Sequence, residues 1–478
     1  MPTPTIERGS NHRRRTKARE GVRGGRAAVV GPTRDADSGR AAWTGSCLAA
    51  GCGLAAGLVT TPAAALWGDD AGNLTVGGSA RTTTAIVDEQ HVAPASDSST
   101  DGMSYSALRL TAAGDPAPWF RYDLHLVQDA WLLTSSTLTA GGLALGDAGP
   151  PRYRLTGLRH QWVDDGNVAL RLAADRAWVE YQLGGTRLTL GRQAITFGKA
   201  RFWNPLDVFL PFDAQQIDRE YKRGVDAIRL GVPIGMVSGL DLVATPGRVD
   251  GARETSQSWY GSAALARLYT NVRGWDVAVQ GGKIYGGYQV GGAVTGVVGP
   301  VEIRGEGAYF LALDDAAERV VLPDHFVGVV GVGRRFDSSL DLEAEYFYNG
   351  AGDDSDLTIA LERVAASRAL QMSEHLVGAA VGYDLMPLLN GTVGGIVSAS
   401  DGSGIVQPGL TYSVSDESDF LVGAVVAWGP RPRIRAAAIG TPAGGGTTAG
   451  SPDTLALEPR SEFGTYPNFY YAQYRFYF

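Results

Sequence analysis

The last ten residues, Phe469 to Phe478, read FYYAQYRFYF. In an extended strand successive side chains point to opposite faces, so Tyr470, Tyr474, Phe476 and Phe478 share one side while Gln473 and Arg475 fall on the other. One side suits hydrocarbon and the other suits water. A soluble sheet would leave these aromatics along a margin that proteins normally blunt with charge or proline.

The same rhythm recurs along the chain. In Leu340 to Tyr348 the apolar set Leu340, Leu342, Ala344, Tyr346 and Tyr348 opposes Asp341, Glu343 and Glu345. Phe120, Tyr122, Leu124 and Leu126 oppose Arg121, Asp123 and His125, and Glu302, Arg304 and Glu306 line one side of Val301 to Tyr309. Strands buried on both faces would be continuously apolar, and helices would repeat near every fourth residue. No stretch beyond Val59 offers the roughly 20 uninterrupted apolar residues of a membrane-spanning helix. A closed barrel is the remaining way to satisfy backbone hydrogen bonds in hydrocarbon. The expected fold is all-β, a transmembrane antiparallel β-barrel of roughly 16 to 18 strands around a water-filled or partly plugged lumen. Polar stretches at Glu89 to Asp101, Phe197 to Lys222, Asn349 to Met372 and Ile439 to Tyr466 read as long loops at one end. Within the third, Leu357 to Leu370 has the composition of a short helix.

The other end of the chain reads as an export leader. Met1 to Arg40 carries ten basic against four acidic residues, and Ala41 to Gly68 carries no charge. An apolar run from Leu48 to Val59 and the small residues Ala63, Ala64 and Ala65 follow in the order of a secretory signal, with cleavage expected after Ala65. Residues 66–478 would then form the barrel as one domain. The whole chain has 42 Lys+Arg and 50 Asp+Glu, so losing ten and four of them leaves 32 and 46, a net charge of −14. Such an acidic chain does not suit nucleic acid. Cys47 and Cys52 fall in the leader, which leaves the barrel without thiol chemistry or disulfides.

The most distinctive stretch runs from Arg176 to Arg223. Arg176 to Leu183 and Thr186 to Ile195 read as two strands joined at Gly184-Gly185, where glycine permits positive φ. Trp178, Glu180, Gln182, Arg187 and Thr189 would face the lumen. Strict alternation places Arg192 on the lipid side, so either a bulge shifts the register there or Arg192 lies above the membrane. Phe202, Trp203, Phe209, Leu210 and Phe212 then make a segment too apolar for a free loop, suited either to a constriction inside the pore or to a latch at its rim. With Gly191, Arg192, Gln193, Gly198, Asn204, Pro205, Asp207, Phe209 and Pro211, this run resembles the Gly-Arg-Gln strand end and Asn-Pro-x-Asp-x-Phe loop of Gram-negative outer-membrane barrels of the alginate-export and related porin-like type. It departs at Phe197, where those barrels often carry Trp. The terminal Phe478 likewise resembles the signal read by the outer-membrane assembly machinery. The resemblance implies residence in the outer membrane and passive passage of small or anionic solutes. The alternatives are a dedicated exporter of an acidic polysaccharide, or a barrel-scaffolded enzyme or adhesin, and the barrel could form a homo-oligomer.

Candidate pore residues are Glu180, Arg187, Arg192, Gln193, Arg201, Trp203 and Asp207, with Asp341, Glu343 and Glu345 as an acidic wall. Arginines gather in the first half (Arg81, Arg109, Arg121, Arg171, Arg187, Arg192, Arg201, Arg219 and Arg223), so opposed walls would set a transverse field, unless these charges simply pair with one another. The six histidines show neither metal-ligand spacing nor a nucleophile arrangement, and His125 with Asp123 reads as a solvated pair. Asp353, Asp354 and Asp356 lack the spacing of a calcium loop. No catalytic residue, metal or cofactor is expected.

Overall fold

The computed structural model describes residues 66–69, 72–88, 100–134, 152–212, 219–249, 257–313, 322–366, 369–436 and 455–478. The leader, most of the loop at Glu89 to Asp101 and the start of the loop at Ile439 to Tyr466 lie outside the described residues. Eighteen antiparallel strands form the wall: β1 (Thr75–Asp88), β2 (Thr100–Ala117), β3 (Phe120–Leu133), β4 (Val168–Leu183), β5 (Thr186–Gln193) and β6 (Val225–Ile234). They continue as β7 (Ser238–Thr245), β8 (Ala263–Val272), β9 (Trp275–Ile284), β10 (Gly287–Val298), β11 (Val301–Ala312) and β12 (His325–Arg335). The last six are β13 (Asp341–Asn349), β14 (His375–Met386), β15 (Leu389–Ser398), β16 (Gly404–Ser415), β17 (Ser418–Trp428) and β18 (Asn468–Tyr477). Each strand pairs with its neighbours in sequence, and β18 pairs with β1 from Ser79↔Tyr477 to Asp88↔Asn468. Phe478 extends that seam, exchanging backbone hydrogen bonds of 2.6 and 3.0 Å with Gly78.

Side chains sort by face as the alternation dictates. Leu124, Leu126, Tyr346, Tyr470, Tyr474 and Phe476 are exposed on the outside, whereas Arg81, Thr83, His125, Glu306, Glu343, Glu345 and Gln473 are buried within. A closed sheet with an apolar exterior is a membrane-spanning structure, since hydrocarbon tolerates no open edge. No helix among the described residues is long and apolar enough to cross a membrane.

Tight turns close one end, such as Gly184-Gly185 between β4 and β5, with Gly184 at φ 63°. The long connections open at the other end. The helix read from the sequence is present over Leu357–Ala365, capped by Asp356. Asp353 and Asp354 are spent locally: Asp353 accepts from Ser355 and Asp356, and Asp354 accepts from the Glu374 amide and the Ser400 hydroxyl. Among the described residues no group of three or more potential ligands could hold a metal ion.

Inside the long-loop end lies a packed interior. Tyr153, Ile195, Phe197, Phe209, Tyr260, Tyr285 and Phe310 form one apolar cluster, and Phe202, Trp203, Phe347, Leu376, Ile396 and Phe463 another. Toward the short-turn end lumen side chains stay wet: the ion pair Arg335–Asp384 at 3.7 Å keeps 42% and 44% of its side chains exposed.

Candidate functional site

The site begins where β5 leaves the wall. β4 is long enough to pair along one side with two different partners, β5 over Ala177 to Leu183 and a separate strand, Arg159–Asp165, over Val168 to Ala173. Strand Arg159–Asp165 thus stands in line with β5 and fills the place β5 vacates when its chain turns inward after Gln193. Arg192 seals the junction. Its guanidinium grips Asp226 with two hydrogen bonds of 2.7 and 2.9 Å and donates to the carbonyls of Thr156, Gly157 and Ala174. The register along β5 is unbroken, so Arg192 does lie on the outer side, but the chain at 153–158 covers it to 1% side-chain exposure. Gly191 lets β5 pass this close to β4: its φ is 114°, and an added Cβ would lie 2.4 Å from the Ala177 carbonyl oxygen. Gln193 is buried beside it, donating to the carbonyls of Thr189 and Ala227. Both residues of the pair therefore sit in the wall and not at the free surface of the lumen.

From Ile195 the chain runs inside the barrel and lies against strands β9 to β14. Two wall carboxylates meet four successive loop amides. Glu306 Oε1 accepts from the Lys199 and Ala200 amides, the latter at 2.8 Å, and Glu345 accepts from Arg201 N at 2.6 Å and Phe202 N at 2.8 Å. Gln289 and Gln280 donate to the carbonyls of Pro205 and Leu206 at 3.0 and 2.9 Å. Trp203 stacks on Phe347 with ring centres 5.0 Å apart and planes 7° from parallel. Wall glycines make room for these side chains: a Cβ at Gly378 would come within 2.9 Å of Phe202, and one at Gly291 within 2.7 Å of Leu206. Burying each of these aromatic or leucine side chains is worth about 1.5–3 kcal/mol.

The acidic wall is consequently occupied. Glu343 pairs with Arg201 at 3.1 Å and with Arg304, which also holds Glu345 at 3.1 Å and Glu302 at 3.0 Å. Asp341 lies on the same face, nearer the short-turn end. Glu180 and Arg187 line the lumen there too, with Thr189 donating to Glu180 at 3.2 Å. The structure thus gathers Arg201, Trp203, Asp207, Glu343 and Glu345 around the loop, while Glu180, Arg187 and Asp341 sit below it and Arg192 and Gln193 belong to the wall.

The return limb of the loop, Arg219 to Gly224, reaches the opposite wall. Lys222 ties the limbs together, its Nζ donating to Asp207 Oδ2 and to the Ile195 carbonyl, both at 2.6 Å. Burial pushes the Asp207 carboxyl up and the Lys222 ammonium down, each opposed by the charge of the other. Tyr221 lies against Arg109 and Arg81, 4.1 and 5.3 Å from ring centre to guanidinium, and Glu220 bonds Arg81 and the Tyr477 hydroxyl. Arg109 pairs with Asp175 at 3.0 Å, and Arg171 with Asp129 at 2.9 Å. The arginine wall is accordingly a set of ion pairs rather than a bare positive face. His125 and Asp123, expected to be solvated, form a mostly buried pair at 2.9 Å, because Tyr221 packs edge-on to the imidazole.

A second inward segment braces the first. Phe463 packs in the cluster of Phe202 and Trp203, and the Glu462 carboxyl beside it accepts from Ser373 N at 2.6 Å. Burial, with Asp401 nearby, pushes that carboxyl up to about 7 against the opposing amides of Ser373 and Met372. Glu306, Asp175, Glu220, Tyr221, Lys222 and Glu462 were not among the sequence-read site residues. Only Glu306 carried a signal, its inward place in an alternating strand.

No family model matches the chain, and no curated protein matches it. Solved structures similar to it include Pseudomonas aeruginosa OccK11 (OpdR), at 10% identity over 85% of this chain and 96% of that chain with a TM-score of 0.48. Acinetobacter baumannii OccAB2 is similar at 10% identity, 85% and 98% coverage and a TM-score of 0.48. A mutant of the Rh. blastica porin is similar at 10% identity, 85% and 100% coverage and a TM-score of 0.39.

Proposed function

We propose that the protein is an outer-membrane channel that passes small solutes passively through a lumen narrowed by the loop limbs 195–212 and 219–224. The observation that carries this reading is that loop's course: it leaves the wall, docks on Glu306 and Glu345, and reaches across to Arg81 and Arg109. A closed barrel isolates the lumen from lipid, so whatever crosses must pass this loop. On the far wall Arg81, Arg109, Arg154, Arg176 and Arg475 stand among Asp101, Asp123, Asp175, Glu220 and Asp419, so the passage presents both signs of charge to a solute. Conduction selected by size and field needs no reacting group. The leader read at Met1 to Ala65 supports export.

The test is single-channel conductance of the folded protein in a planar bilayer. Deleting Ala200 to Phe212 should raise the unit conductance, and replacing Arg81 and Arg109 with Gln should move the reversal potential toward cations. An absence of channel steps, or a folded deletion variant with unchanged conductance, would sink the idea.

A further inference from the structure

Between Lys199 and Leu206 most of the hydrogen bonds from the wall to the loop are made to its main chain, beside the Arg201–Glu343 pair. Four consecutive amides, Lys199 to Phe202, end on two carboxylates contributed by β11 and β13, and two consecutive carbonyls, Pro205 and Leu206, receive the amides of Gln289 and Gln280. Glu345 is itself held by Arg304, so its carboxylate is fixed before the loop arrives. Backbone N–H groups buried away from water must find acceptors, and a carboxylate accepts more strongly than a neutral oxygen. The loop side chains along this stretch are unequal in burial: Lys199 is exposed and Ala200 half-buried, while Phe202 and Trp203 fill the glycine-lined recesses. Shape places the aromatics, and charge places the path between them.

We infer that Glu306 and Glu345 are the positioning residues of the constriction: they fix the loop through its amides and so set the width of the passage, whatever side chains the loop carries at positions 199 and 200. This inference rests on the channel reading for its consequence, but not for its geometry. The anchoring itself is open to a measurement that needs no conduction.

The chain with Cys47 and Cys52 replaced by Ser, carrying Ala200→Cys, is folded into detergent micelles and treated with a water-soluble maleimide. Glu306→Ala and Glu345→Ala together should speed labelling at position 200 about tenfold by populating an undocked loop. Glu306→Gln alone, whose single amide oxygen can replace the one carboxylate oxygen that takes both the Lys199 and Ala200 amides, should stay near the parent rate. The same Ala variants, without the cysteine, should show a larger and noisier unit conductance. Heat-modifiable gel mobility establishes that each variant is folded. Should the Ala pair fail to fold, Ala200→Pro removes a donor from the loop side and should raise conductance alone. Labelling unchanged in a folded Ala pair, or Glu306→Gln as loose as the Ala pair, would overturn the inference. A parent protein that labels as expected yet never conducts would instead overturn the channel reading and leave the anchoring intact.

Discussion

Replacing Lys222 with Met tests the clip between the two limbs of the loop. In the native structure Lys222 is fully buried, and its ammonium is satisfied by Asp207 and by the Ile195 carbonyl. Methionine keeps the length and apolar packing of the stem but leaves the Asp207 carboxylate buried without its cation. Removing one partner of a buried pair costs about 3–5 kcal/mol, because the remaining charge keeps its desolvation penalty and loses its compensation. That cost falls on the docked loop rather than on the hydrogen-bonded wall, so the loop should open about a hundredfold to several thousandfold more often. Hydrogen exchange of the amides from Asn204 to Phe212, followed by mass spectrometry on the folded barrel, reads that opening directly. Adding Asp207→Asn should recover most of the protection, since a neutral amide beside Met is far cheaper to bury, and the double-mutant cycle isolates the pair. Exchange unchanged in Lys222→Met, or a double variant as open as the single one, would refute the reasoning.

Two further outcomes are expected. The Glu462 carboxyl, at about 7 in the fold and lower in the unfolded chain, gives stability that is full below the unfolded value and lost as pH rises through about 7, so protease resistance of segment 459–467 should fall between pH 5 and 8 and become pH-independent in Glu462→Gln; the full effect is about 3 kcal/mol. Phe478→Asp should lower the yield of folded barrel on a heat-modifiability gel, because the last residue exchanges both backbone bonds with Gly78 and its ring lies against that glycine; an undiminished yield would show that the closing seam does not depend on it.

The barrel was legible because its cause is local. Alternation at Asp341, Glu343 and Glu345, or at Tyr474, Arg475 and Phe476, is a period-two signal that one face of each strand imposes on its own residues. What those carboxylates touch was not legible, since Glu345 meets Phe202 across 143 positions of sequence and Glu306 meets Ala200 across 106. The apolar run from Phe202 to Phe212 could be read as unsuited to water, but constriction and rim latch demand the same composition, and only the fold places it inside. Arg192 shows a different limit. Alternation assigned it to the outside correctly, yet its cover comes from residues 153–158, a connection with no periodicity to announce it.

The strand Arg159–Asp165 bears on how such a protein can change. Because a second piece of chain stands in line with β5, β4 keeps a hydrogen-bonded partner on both sides of the point where the inner segment departs. Lengthening or rebuilding that segment therefore leaves the ladder along β4 untouched, and the pairing of this strand is uncoupled from the design of what hangs inside. A library that randomises the interior between Gln193 and Val225 while sparing Arg192, Asp226 and residues 153–165 should return mostly intact shells, each with its own bore.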